Sequence, residues 1–130
     1  MEIKNSNPQC NYGFEQLEVW QRACSLSVRL YSLLKECRDF GFRDQMQRAT
    51  ISIASNIAEG AERGSSAEFR QFLSYSKGSA AELRTQIHIA RQVGILHEVD
   101  SSVLIQELIE ISRMLEGLKR SIKKVESSTS

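Results

Sequence analysis

At 130 residues the chain is the length of one domain, and its 17 Lys and Arg against 16 Asp and Glu leave a net charge of +1. That balance removes any case for nucleic-acid binding built on whole-molecule charge, so such a case must come from local patches. No apolar run approaches the roughly 20 residues of a membrane span, and Met1 to Asn7 hold no apolar stretch of the secretory kind. The expected setting is cytoplasmic. Three cysteines, Cys10, Cys24 and Cys37, form no C-x-x-C pair, which predicts free thiols and not a disulfide frame.

Residues 1–13 are polar, contain Pro8 and Gly13, and are expected to form a flexible tail ahead of one domain over 14–126. The first helix is predicted from Glu15 to Cys37. It carries two adjacent apolar stripes, one of Leu17, Trp20, Cys24, Tyr31 and Leu34, the other of Val19, Ala23, Leu26, Leu30, Leu33 and Cys37. Two stripes are wider than one bundle core requires.

Arg38-Asp39-Phe40-Gly41 interrupts the pattern, and a second helix is predicted from Phe42 to Arg63 with Met46, Ala49, Ile53 and Ile57 inward and Gly64 as its stop. Ser65-Ser66-Ala67-Glu68 has the form of a capping box, in which Ser65 caps and Glu68 reaches back. The third helix is predicted to run to Val93 through Phe69, Phe72, Leu73, Ser76, Leu83, Ile87 and Ala90, with Gly78-Ser79-Ala80-Ala81 small enough for a close neighbour. Asp100 is the expected cap of a fourth helix, in which Leu104, Leu108, Ile111, Leu115, Leu118, Ile122 and Val125 alternate four and three as in a coiled coil. Residues 127–130 are expected to be a disordered tail. Helices joined by short links and no alternating strand pattern predict an all-α, antiparallel up-down-up-down four-helix bundle.

Catalytic chemistry finds little footing. A di-iron bundle needs Glu-x-x-His on two helices, but Thr85 and Gly94 stand three residues before the only histidines, His88 and His97. Two histidines and scattered cysteines make no zinc site, and neither a phosphate loop nor a G-x-S-x-G elbow is present. A helical ribonuclease of the HEPN type would need four to six residues between Arg and His, whereas Arg84 and His88 have three between them; His88 is expected beside the core, and His97 in a loop. The reading is of a protein that is not an enzyme and carries no metal or cofactor.

Two polar features stand out. On the second helix Gln45, Arg48, Ser52, Asn56, Glu59 and Arg63 fall within roughly 80° of one another at about 100° per residue, beside the apolar strip and not opposite it. Either Arg48 and Glu59 complete a hydrogen-bond network with neighbouring helices, or the strip meets a ligand or RNA. On its other flank Ile51, Ala54, Ala58 and Ala61 offer a second, small-residue surface. Near the end of the fourth helix Arg113, Lys119, Arg120, Lys123 and Lys124 are candidate nucleic-acid contacts, although Glu116 is placed to pair with Lys119 or Arg120. Tyr31, Tyr75 and the phenylalanines fall at helical spacing and are expected in the core.

The stretches Phe14-Glu15-Gln16-Leu17-Glu18-Val19-Trp20-Gln21-Arg22-Ala23, Gln47-Arg48-Ala49-Thr50-Ile51-Ser52-Ile53-Ala54-Ser55-Asn56-Ile57-Ala58-Glu59-Gly60, Glu68-Phe69-Arg70-Gln71-Phe72-Leu73 and Gly78-Ser79-Ala80-Ala81-Glu82-Leu83 occur in one order. In these the chain resembles the four-helix bundle proteins encoded in intervening sequences of bacterial 23S ribosomal RNA, over residues 14–120. The resemblance implies a homopentamer with a central channel, no attached catalytic activity, and no agreed role for Arg48, Ser52, Asn56, Glu59 and Gly60. A group of similar fold, the accessory proteins of diversity-generating retroelements, is thought to bind nucleic acid. The expected partners are therefore other copies of the chain, with RNA or nucleoprotein as a further partner and no membrane or metal. A protein-binding scaffold is the alternative.

Overall fold

A computed structural model describes the backbone of residues 13–129 and the side chains of residues 13–122. The expected tails at 1–12 and at residue 130 lie outside the described residues. After a short 3-10 turn, Gly13–Gln16, come four helices: α1 (Glu18–Leu33), α2 (Phe40–Ala61), α3 (Ser66–Gln92) and α4 (Glu98–Thr129). Among the described residues there is no strand.

Cross-helix contacts fix the directions. Ser52 meets Ser79 and Ile53 meets Ser76, while Gly60 lies against Phe69 and Phe72, so α2 and α3 run antiparallel. Lys77 with Glu116 and Arg91 with Glu98 do the same for α3 and α4. Consecutive helices pack on one another, and α1 closes the ring against α4. This is the up-down-up-down bundle.

The core is built from Leu30, Leu34, Ile53, Ile57, Leu73, Leu83, Ile87, Leu104, Leu108, Ile111 and Leu115, each fully buried. The alternating stripe of α4 is inward through Leu115 and partly covered at Leu118 and Ile122, and Val125 lies beyond the described side chains. Gly64, at φ +88°, ends the α2 turn in a conformation that disfavours any side chain.

Several boundaries differ from the sequence reading, each for a local reason. Helix α1 begins at Glu18 because Leu17 is extended, with ψ 124°. It ends at Leu33, so Leu34 and not Leu33 or Cys37 turns into the core. Asp39 caps α2 by accepting from the Phe42 backbone N–H at 3.2 Å, which draws Phe40 and Gly41 into the helix. Ser65 caps α3 as expected, but the Glu68 carboxylate accepts from the Ser65 hydroxyl at 3.1 Å. Helix α4 starts two residues before Asp100, with the His97 carbonyl accepting from both the N–H and the hydroxyl of Ser101. With no proline or glycine after Gly117, its backbone stays helical to Thr129, past the end expected at 126. Gly78 and Ala81 face outward, so only Ser79 and Ala80 of that small-residue group meet neighbours.

Candidate functional site

The two stripes of α1 are covered unequally. Val19, Ala23, Leu26 and Leu30 are buried, as is Leu34 from the other stripe, while Leu17, Trp20 and Cys24 are only partly covered and Tyr31 is 43% exposed; Val28, on neither stripe, is 72% exposed. On α2 the inward residues Ile53 and Ile57 leave Ile51, 45% exposed, with Ala54 and Ala58 on the flank toward α1. Between the two flanks runs an open groove of about 430 Å³, lined by Phe14, Trp20, Cys24, Val28, Ile51, Ala54 and Ala58 with Ser27 and Ser55. The Phe14 ring packs on Trp20 at 5.3 Å. Ser27 turns its hydroxyl away, toward the Ala23 carbonyl and Thr50 Oγ1, both at 3.1 Å. Ser55 is thus the one lining hydroxyl with no described partner. Burial pushes the pKa of the Cys24 thiol above its ordinary range. Cys37 is also a free, half-buried thiol, and Cys10 lies outside the described residues.

The polar strip of α2 does not act as one unit. In its middle, the hydroxyls of Ser52 and Ser79 are 2.8 Å apart, and Asn56 Nδ2 donates to both the carbonyl and the hydroxyl of Ser52 at 2.9 Å. This is a half-buried seam between α2 and α3. The network expected to join Arg48 and Glu59 is not formed: both are exposed, Glu59 pairs with Arg63 at 3.4 Å, and three turns of helix separate it from Arg48. Arg63 also approaches Glu68 and lies over the Phe72 ring. Gln45, Arg48 and Ser52 instead line one wall of a second cleft, also about 430 Å³, with Glu82 of α3 opposite. Arg48 and Glu82 form no ion pair with each other or with any described residue.

At the α4 end, Glu116 gathers the cations. Lys77 donates to its carboxylate at 2.8 Å, and Lys119 and Arg120 approach at 3.9 and 3.7 Å. The Lys77 hydrogen bond, more than any other contact, holds the Glu116 carboxyl below its ordinary range. Arg113 is exposed, and the side chains of Lys123 and Lys124 lie outside the described residues. His88 is exposed and not beside the core. Tyr31 and Tyr75 are likewise surface residues, because both fall on the outward side of their helices.

One cluster had no mark in the sequence reading. Arg22 on α1 donates through Nε and Nη2 to both oxygens of Glu107 on α4, at 2.9 and 2.8 Å, and reaches Glu110 as well. These carboxylates raise the Arg22 pKa further above its already high value. The only signal was positional: Arg22 precedes buried Ala23, and Glu107 precedes buried Leu108, so each sits at a core margin.

The 23S rRNA-intervening sequence protein family model matches residues 15–117. The chain belongs to this family. A solved structure from Bacteroides thetaiotaomicron VPI-5482, a protein with unknown function from the S23 ribosomal protein family, superposes with a TM-score of 0.73 at 22% identity. It covers 78% of this chain and 97% of its own, which places the two in one fold. No curated protein matches the chain.

The family stretch of α2 reads differently once its neighbours are known. Ala49, Ile53 and Ile57 are core, Ser52 and Asn56 form the seam, and a Cβ on Gly60 would stand 2.6 Å from Phe72 Cβ. Of the residues singled out in it, Arg48 is exposed and has no described partner.

Proposed function

We propose that this member of the intervening-sequence family is a non-catalytic, self-assembling bundle whose copies meet through the α1–α2 face. The carrying observation is the groove itself: it presents carbon and sulphur with a single unoccupied hydroxyl, Ser55. Such a lining offers nothing to orient a polar substrate, and contiguous apolar surface is characteristic of protein contact. A closed ring of copies covers one such face per subunit, and five is the number that the family resemblance implies.

RNA or nucleoprotein binding is the weaker reading. It rests on the exposed cations of α4, repeated once per subunit around a ring, but Glu116 draws Lys119 and Arg120 together with Lys77 and lowers the local charge. The test of the main reading is sedimentation of Ile51→Glu and Val28→Glu. Both positions are exposed, so each variant keeps its fold, and each shifts the protein to monomer. Variants that sediment as the wild type does, from an assembled wild type, place the contact elsewhere.

A further inference from the structure

The cleft between α2 and α3 holds groups of opposite charge that do not use each other. Arg48 of α2 and Glu82 of α3 stand on opposite walls of about 430 Å³, and neither has an ion pair or hydrogen bond among the described residues. Register puts them at one level. Ser52 meets Ser79, and from that contact Arg48 lies one turn back along α2 while Glu82 lies nearly one turn on along α3. An exposed ion pair is worth little, so little is lost when a ligand comes between the two side chains.

The same register places a third group. Seven residues are nearly two full turns, so Gln45 shares the face of Ser52 and Gln86 the face of Ser79. Because the helices are antiparallel, Gln45 and Gln86 come level at one end of the cleft. Gln86 is only 7% exposed, and its Oε1 is buried with no hydrogen-bond partner among the described residues. Gln45 lines the cleft but does not fill that acceptor. A buried acceptor left empty is uncommon in a native protein and calls for a donor.

A cation, an anion and two amides around one cleft match a small molecule that carries the complementary set. We propose that the cleft binds a free α-amino acid with a carboxamide side chain. Its carboxylate lies on Arg48 in the paired geometry that a guanidinium favours, its ammonium group lies on Glu82, and its side-chain amide donates to Gln86 Oε1. A bare anion meets repulsion from Glu82 and a bare cation meets it from Arg48, so a zwitterion suits the site better than either. A nucleobase finds no aromatic ring to stack on among the described lining residues. This reading does not depend on assembly of the bundle.

The probe is L-glutamine, titrated into the isotope-labelled full chain and followed by the backbone NMR signals of Gln45, Arg48, Glu82 and Gln86. Glutamine is expected to move these signals saturably. Glutaramate, which lacks the ammonium group, and γ-aminobutyramide, which lacks the carboxylate, are each expected to bind at least about tenfold more weakly, since each leaves one charge of the cleft unmatched. Arg48→Gln and Glu82→Gln are expected to lose a similar factor while unfolding in urea as wild type does, because both residues are exposed. Gln86→Leu is expected to lose glutamine binding and to unfold at higher urea, since it removes a buried polar atom that the chain leaves unpaired. Glutamine that moves no signal at millimolar concentration overturns the proposal. So do three compounds that bind alike, or an Arg48→Gln protein that binds glutamine as wild type does. A Gln86→Leu protein that unfolds at lower urea and binds glutamine unchanged marks that amide as structural and overturns its assignment.

Discussion

The Oγ atoms of Ser52 on α2 and Ser79 on α3 stand 2.8 Å apart, half-buried, and the same Ser52 oxygen accepts from Asn56 Nδ2 at 2.9 Å. One hydroxyl thus ties two helices together and holds the side chain one turn further on. Replacing Ser52 by Ala takes the partner hydroxyl from Ser79 and leaves Asn56 Nδ2 with the backbone carbonyl of residue 52 alone. The expected loss is about 1–3 kcal/mol, read from a urea unfolding curve. Arg48→Ala, four residues earlier, is expected to stay within about 0.5 kcal/mol of wild type in monomeric protein, because Arg48 is exposed and has no described hydrogen bond or ion pair.

Gly60 and Gly78 make opposite demands. A Cβ on Gly60 meets Phe72 Cβ at 2.6 Å and Phe69 Cδ1 at 3.2 Å, whereas one on Gly78 meets nothing within 4 Å. Gly60→Ala is expected to cost about 1–3 kcal/mol from overpacking, less the roughly 1 kcal/mol that alanine gains in a helix. Gly78→Ala, mid-helix and exposed, is expected to stabilise by up to about 1 kcal/mol. Thermal unfolding of the two variants, scanned side by side, should move in opposite directions.

The core register is tested at Leu115. It is fully buried on α4, and Leu115→Ala is expected to cost on the order of 2–5 kcal/mol. An unchanged denaturation midpoint would mean that α4 faces inward along a different stripe.

What the sequence disclosed follows from how far each signal reaches. The stripe of α4 and the Gly64–Ser65 junction depend on neighbours a few residues apart along one helix, so spacing alone placed them. The doubled stripe of α1 likewise announced surplus apolar surface, and its Trp20 and Cys24 line the groove. The polar strip misled for the opposite reason. Angular position on α2 groups Arg48 with Glu59, but which of them is held depends on α3, and Ser79 reaches only Ser52. The Arg22 clamp was invisible on the same ground, since Arg22 and Glu107 are 85 residues apart.

Acid pH should loosen α1 through that clamp. The hydrogen bond from Arg22 holds the Glu110 carboxyl below its ordinary pKa of 4.5. A depressed folded-state pKa contributes stability that is present above the unfolded value and lost as pH falls through the folded one. Wild type is therefore expected to lose stability below about pH 4.5, and Glu110→Gln to show a shallower acid limb over the same range. Urea midpoints between pH 6 and pH 3 for the two proteins test this.

The central claim, that copies of this bundle assemble through the α1–α2 face, is met most directly by the solution mass of the wild-type chain. Multi-angle light scattering across a micromolar concentration series is the measurement. A discrete multiple of the 14.7 kDa chain, lost in Ile51→Glu, is the predicted result. A 14.7 kDa species at every concentration would contradict it.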